Sequence, residues 1–223
     1  MIYNINSYRL GLLSMKKENY IYIHKRDGSI KRVKYIFGLW IKFRGKNSTV
    51  NIYEPCKFKF QIGSNRSRLV INGDNNIINI KSNTAIKIKS LRINAVGNNN
   101  IINIGKNLYM SSGANIDFAN NDNLSLNIGD NCLFGQNINM MLGDHHKIYS
   151  TVKDTIINST KEGIDIADNV WLARNVTILK DAKISKNSVV AYGSIVTRKF
   201  EKENVIIAGT PAKIVKENIR WEY

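Results

Sequence analysis

The sequence predicts an all-β protein, a triangular parallel β-helix of about six coils, and two spacings carry that prediction. Between Ile164 and Thr197 a bulky aliphatic residue returns at every sixth position: Ile166, Leu172, Ile178, Ile184, Val190 and Val196. Small or β-branched residues precede these anchors by two positions, at Val170, Val176, Ala182, Ser188 and Ser194. A period of six matches neither a helix nor a half-buried alternating strand, and it is the signature of a β-helix. Each unit reads as one short strand and a corner, so three units close a coil of eighteen residues, stacked at roughly 4.8 Å. The second spacing is 24 residues, relating NGDNNIINIKSN (72–83), VGNNNIINIGKN (96–107) and NNDNLSLNIGDN (120–131). An eighteen-residue coil with a six-residue excursion at one corner produces it. Ile52, Ile80, Ile104 and Ile128 then occupy equivalent positions, with 51–56 an earlier copy four residues out of register. The asparagines suit corners, where Asn tolerates the left-handed conformation, and stacked Asn ladders account for their number.

Taken in order, residues 1–45 form an N-terminal cap, with alternating runs either side of Asp27-Gly28, a short hairpin signal. Such a cap covers the otherwise unpaired end of a solenoid. His24 lies in one of those runs and is read as a surface or edge residue. Residues 46–200 form the solenoid proper, with Met110, Phe134 and Met140 continuing the period of six. From Ile128 the next anchor is due one coil later at 146, but it arrives at Ile166, so a loop of about twenty residues (143–163) leaves one corner. Long excursions from a rigid scaffold are disproportionately functional, and this one opens with Asp144, His145 and His146. Residues 201–223 form a strand and tail, with a short helix expected after Pro211.

Composition bounds the rest. A chain of 223 residues with 43% hydrophobic content and two prolines supports one continuous core. Two isolated cysteines, Cys56 and Cys132, give neither a disulfide framework nor a metal-ligand spacing, and Cys132 falls at an interior position. The first residues lack a signal-peptide pattern, and no apolar run reaches bilayer length. A cytoplasmic protein, at most associated with the inner face of the membrane, is expected. The net charge of +16 suits a polyanionic partner such as an anionic glycan, a phosphorylated cofactor or an anionic membrane surface, and a composition heavy in Lys, Ile and Asn throughout accounts for it equally well. It is scattered and accompanied by no nucleic-acid-binding motif, so no nucleic-acid partner is expected.

GDHHKI, VWLARNVTILKDAKI, AYGSIVT and AGTPAKIVK resemble, in this order, the hexapeptide-repeat acetyltransferases. The branch they resemble O-acetylates bacterial surface polysaccharides and sialic acids, and the resemblance covers roughly residues 46–223. IHKRDGS and IKFRGKN are similar to segments of capsule and lipooligosaccharide O-acetyltransferases. The resemblance implies a left-handed β-helix, an exception to the right-handed crossover rule. It also implies a homotrimer and acetyl-CoA as co-substrate in a groove between subunits. Asp144-His145-His146 matches the family's D-x-H, which makes His146 the general base. If the segment is extended, residues i and i+2 share a face, so Asp144 would hold the His146 imidazole and His145 would point away, toward the acceptor. Trp171 matches the Trp of V-W-I-G, a wall of the acceptor and thioester pocket. Arg174, Tyr192 and Gly193 match the pantetheine-facing segment. Thr197, Arg198, Lys213 and Lys216 match positions near the CoA phosphates, where cations neutralise the anion. No metal is implied, since adjacent histidines in a strand rarely chelate one ion.

A sugar hydroxyl attacking a thioester needs a base, and imidazole, with an ordinary pKa of about 6.5, suits that task near neutrality. The expected function is therefore acetyl-CoA-dependent O-acetylation of a surface glycan or its sugar precursor. Two alternatives remain: N-acetylation of an amino sugar-nucleotide, and a non-catalytic β-helix that only binds.

Overall fold

The computed structural model describes residues 18–61, 63, 66–81 and 88–222. Residues 1–17 of the expected cap lie outside them. The described chain is a left-handed parallel β-helix with three faces. Face one stacks β1 (Tyr20–His24), β4 (Thr49–Tyr53), β6 (Ile77–Ile80), β8 (Ile101–Ile104), β10 (Ser125–Ile128), β12 (Gly163–Ile166), β15 (Lys183–Ile184) and β18 (Lys199–Phe200), all parallel. The antiparallel β2 (Ile30–Val33) closes its edge. Face two runs from the first halves of β9 (Tyr109–Asp117) and β11 (Leu133–Met141) through β13 (Trp171–Leu172) and β16 (Val189–Val190) to β19 (Ile206–Gly209). Face three stacks β3 (Leu39–Phe43), β5 (Ser67–Asn72), β7 (Leu91–Val96), the second halves of β9 and β11, β14 (Thr177–Leu179) and β17 (Ile195–Val196).

The aliphatic spacing builds the core directly. Ile52, Ile80, Ile104, Ile128, Ile166, Ile184 and Phe200 pair one above the next, each 4% exposed or less. The spacing of 24 is thus one coil, and the delayed anchor at Ile166 is the partner of Ile128. Face one has eight rungs among the described residues, more than the six or so coils expected. Tyr20–His24 supplies one of them while also forming the hairpin about Asp27-Gly28. That turn is fixed by Asp27, whose Oδ1 accepts from the Ser29 N–H at 2.9 Å and the Ser29 hydroxyl at 2.7 Å.

Corners are built from asparagine in the left-handed region, which few non-glycine residues enter without cost. Asn47, Asn75, Asn99 and Asn123 have φ between 56° and 59°, and each amide donates to the next at 3.1–3.3 Å. A second ladder, Asn51, Asn79, Asn103 and Asn127, runs on the outside of face one with 2.8–2.9 Å bonds. His24 caps it, its Nε2 lying 3.0 Å from the Asn51 Oδ1.

The helix expected after Pro211 does not form. Ala212–Lys216 is instead strand β20, antiparallel to β19. The last rung of face two would otherwise leave its N–H and C=O groups unpaired. Burial alternates as a strand requires: Ala212 is buried and Ile214 half-buried, while Lys213 and Val215 are exposed. The tail then returns along face two, and the Trp221 indole N–H donates to the Asn169 carbonyl at 3.0 Å. Cys132 is core, 1% exposed, and burial pushes its thiol up to about 12. Among the described residues no helix is long and apolar enough to cross a membrane.

Ile104→Ala should cost about 2–5 kcal/mol of stability, the usual range for deleting a buried Ile from a packed core. Denaturant unfolding checks it, and a loss below about 1 kcal/mol would show that the stack collapses around the cavity instead of resisting it.

Candidate active site

The twenty-residue loop leaves at the corner between faces three and one, where the 24-residue coils carry their smaller excursion. Glycine marks both ends. A Cβ on Gly143 would lie 2.1 Å from the Asn121 amide nitrogen, and one on Gly163 (φ +111°) would lie 2.0 Å from the Ser125 carbonyl oxygen. The exit is pinned by Asp181, whose Oδ1 accepts the Lys161 and Glu162 N–H groups at 2.9 and 2.8 Å.

Inside the loop Asn158 is the tie. Its Oδ1 accepts from the Ile148 N–H at 2.8 Å, and its Nδ2 donates to Asp144 Oδ2 at 2.7 Å and to the His146 carbonyl at 2.8 Å. Asp144 Oδ2 also pairs with the Lys180 ammonium, which donates to the Asn158 carbonyl at 2.5 Å as well. Hydrogen bonding from Lys180 first, and from Asn158 after it, holds the Asp144 carboxyl below the ordinary carboxylate range.

The segment is therefore bent, not extended, and the expected Asp144–His146 pair is replaced by two other arrangements. Asp144 serves Lys180 and Asn158. His145 meets a carboxylate, with Nε2 3.4 Å from Asp117 Oδ2. His146 is fixed through its backbone, and its side chain is exposed. The sequence reading missed Asp117, Asn158 and Lys180. Counting coils would have found two of them, because Asp117 pairs with Met141 and Leu179 pairs with the same residue from above. Asn158 carries no such signal.

The remaining site residues fall into groups. Arg174, Tyr192 and Gly193 share the corner between faces two and three. The Gly193 N–H donates to the Arg174 carbonyl at 3.0 Å, and the Asn175 amide donates to the Tyr192 hydroxyl at 2.7 Å. Gly193 (φ +70°) takes the left-handed place that Asn137 and Asn175 hold in the coils below. Lys213, opposite Ala208, stands toward this corner. Thr197 and Arg198 follow Val196, which pairs with Ile178, so they stand above Leu179 and Lys180 at the histidine corner. Both are exposed, and the Arg198 guanidinium carbon lies 5.4 Å from the Phe200 ring centroid. Face three thus runs between two groups of candidate donor-binding residues, with the histidines at one edge.

Trp171 and Lys216 are set apart. Trp171 opens β13 beside the corner between faces one and two, 38% exposed, its ring 6.1 Å from that of Trp221. Together with Tyr109, Ser111, Leu133 and Glu222 they line a shallow cavity. Lys216, opposite Ile206, lies at the same end of face two. Within one chain the whole of face one separates Trp171 from His146, roughly 15–20 Å at strand rise.

No family model matches the chain. A solved polysialic acid O-acetyltransferase, OatWY, is 31% identical, covering 82% of this chain and 91% of its own, with a TM-score of 0.60. The polySia-specific acetyltransferase NeuO, at 24% identity, shares the fold over 91% of this chain and 89% of its own, with a TM-score of 0.65. The polysialic acid O-acetyltransferase of Neisseria meningitidis is 38% identical over 78 residues, 35% of this chain and 36% of that protein. A putative acetyltransferase of Saccharomyces cerevisiae is 44% identical over 54 residues, 24% of this chain. The chain spans only about a quarter of the length of that relative, 27%.

The depressed Asp144 carboxyl sets a sign for the loop's pH dependence. Its folded value lies below the unfolded one, so the Lys180 pair stabilises the loop above about pH 4 and is lost as pH falls through the folded value. The side chains are 23% and 43% exposed, so the pair is worth at most about 1 kcal/mol. Lys180→Met should lower hydrogen-exchange protection of the Ile148 and Ile157 amides at pH 7 by up to about fivefold. Unchanged protection would mean that Asn158 alone holds the loop.

Proposed function

Because the chain belongs to the hexapeptide-repeat O-acetyltransferase family, in the branch that includes the polysialic acid enzymes, we propose that it transfers an acetyl group from acetyl-CoA to a hydroxyl of a bacterial surface glycan or its sugar precursor. The observation that carries this reading is the arrangement along face three. Arg174, Tyr192, Gly193 and Lys213 stand at one corner, Thr197 and Arg198 at the other, and the histidine loop leaves from that second corner. A donor with a long flexible arm and an anionic nucleotide end fits such a strip, with its thioester toward the histidine corner beside Thr197 and Arg198 and its phosphates toward Lys213 at the far corner.

His146 is the general base in this reading. Its imidazole takes the proton of the acceptor hydroxyl as the oxygen attacks the thioester carbonyl carbon. The carbon–sulfur bond breaks as the ester forms, and the imidazolium returns the proton to the departing thiolate, which leaves as the free thiol of CoA. A backbone N–H beside the strip serves the transient oxyanion. Asn158 and Asp144 position His146 by fixing the loop. Trp171 is too far from His146 within one chain to wall the same pocket, which favours a site completed by a neighbouring copy; the proposed assembly is a homotrimer, and the proposed compartment the cytoplasm. A second reading for the base has one observation behind it, the contact of His145 with Asp117.

Release of free thiol from acetyl-CoA in the presence of neutral, acidic and amino sugars tests the reaction. Hydroxyl acceptors should support it, whereas activity with amines alone would shift the assignment to N-acetylation. His146→Ala should lower turnover by roughly 10²–10⁴ with acetyl-CoA affinity unchanged, and His145→Ala far less. The opposite ranking moves the base to His145 with Asp117.

A further inference from the structure

We infer that the N-terminal end of the solenoid carries a second glycan-binding site, an anchor for the unreacting part of an acidic polymeric acceptor, built from Phe37, Trp40, Phe60, Arg66 and Arg68. It rests on the O-acetyltransferase reading and adds to it the place and the residues of a second contact with the acceptor.

The rings at this end are exposed and ordered against one another. Phe37 and Phe60 are 72% and 62% exposed, yet they stack with centroids 5.4 Å apart and planes 17° apart. Trp40 lies beside them, 37% exposed, with the guanidinium carbons of Arg66 and Arg68 at 4.7 and 5.9 Å from its ring centroid. Phe37, Trp40, Phe60 and Arg66 border a surface cavity of about 320 Å³, and none of its described lining residues is acidic. Exposed rings clustered together on a surface rimmed by polar groups mark a binding site. An aromatic face receives the flat C–H face of a sugar ring. Phe37 and Phe60 offer that face, while the guanidinium of Arg66, laid across the neighbouring Trp40 ring, is placed to take a carboxylate through two N–H groups. The site is concave, and its cations are arginines held on a ring.

The anchor is continuous with the candidate active site. Trp40 pairs with Arg68, Arg68 with Arg92, Arg92 with Asn115, and Asn115 with Asn139, all outward along face three. In the adjacent column Asn94 pairs with Asp117, the residue that His145 meets. From β3 to β11 is four rungs, roughly 20 Å. A monosaccharide reaches one end or the other, whereas a polymer reaches both. Its second contact is then intramolecular and raises affinity through effective concentration.

Equilibrium binding of polysialic acid and of polygalacturonate, each as a polymer of about twenty sugars and as a trimer, tests this. At least one polymer should bind more tightly than its trimer. The double variant Arg66→Gln/Arg68→Gln should weaken that polymer roughly tenfold, as loss of charge-assisted bonds at a partly exposed site implies. Phe60→Ala should weaken it as well, while trimer binding stays unchanged in both variants. Failure of both polymers to bind, or equal binding by wild type and both variants, overturns the anchor. So does co-sedimentation with phosphatidylserine vesicles that the double variant abolishes, because the patch would then be a lipid contact. Thiol release from acetyl-CoA measured on the same samples separates the two readings. Polymer bound in this way, with no thiol release in the presence of these polymers or of the neutral, acidic and amino sugars, keeps the binding site and sinks the acetyltransferase reading.

Discussion

Everything in this molecule depends on in-register parallel stacking. Each coil hydrogen-bonds to the one below along its strands, so a side chain at one level has the same side chain position above and below it. The isoleucine column from Ile52 to Ile184 is the inner expression of that constraint, and the Asn47–Asn123 corner ladder is the outer one. The two reinforce each other. A left-handed corner residue turns the chain at a fixed point, and a fixed turning point keeps the next aliphatic residue pointed inward. An asparagine at the corner also bonds to its neighbour above, so the strained conformation is tied rather than isolated.

The same constraint decides where chemistry can sit. A triangular solenoid has few places for irregular chain, because an insertion along a face would break the register of all the strands above it. The twenty extra residues therefore enter at a corner already used for a smaller excursion, and Gly143 and Gly163 let the chain leave and rejoin without moving Asn121 or Ser125. Asp144, Lys180 and Asn158 then convert a long loop into a fixed one. The cost of this plan is that one chain spreads its candidate site over three corners. His146 and Trp171 are separated by a whole face, and rotating a second copy against the first is the simple way to bring them together.

The legibility of the sequence follows the same division. Periodicity exposed the solenoid, the 24-residue coil and the length of the loop, because repeated burial repeats residue type. It also identified Cys132 as core and the asparagines as ladders. It failed where no neighbour repeats. The tail after Pro211 read as a helix because a lone segment with Pro at its start resembles one, and the unpaired edge of β19 that recruits it as a strand is a tertiary fact. The bend at His145–His146 was illegible for a related reason: it is imposed by Asn158, twelve residues downstream, and by Lys180 on the next rung. Motif matching located the corners that carry Arg174, Tyr192, Gly193, Thr197 and Arg198, yet it gave no distances between them.

We propose that one active site is made from two copies of the chain, His146 from one and Trp171 from the other. The direct measurement is activity of mixed assemblies formed by co-expressing His146→Ala with Trp171→Ala chains, each nearly inactive alone. Random mixing leaves about a quarter of the inter-subunit sites with both residues intact, so the mixture should recover about a quarter of wild-type turnover. A mixture that forms hybrid assemblies but stays as inactive as its parents would contradict the account and return the site to a single chain.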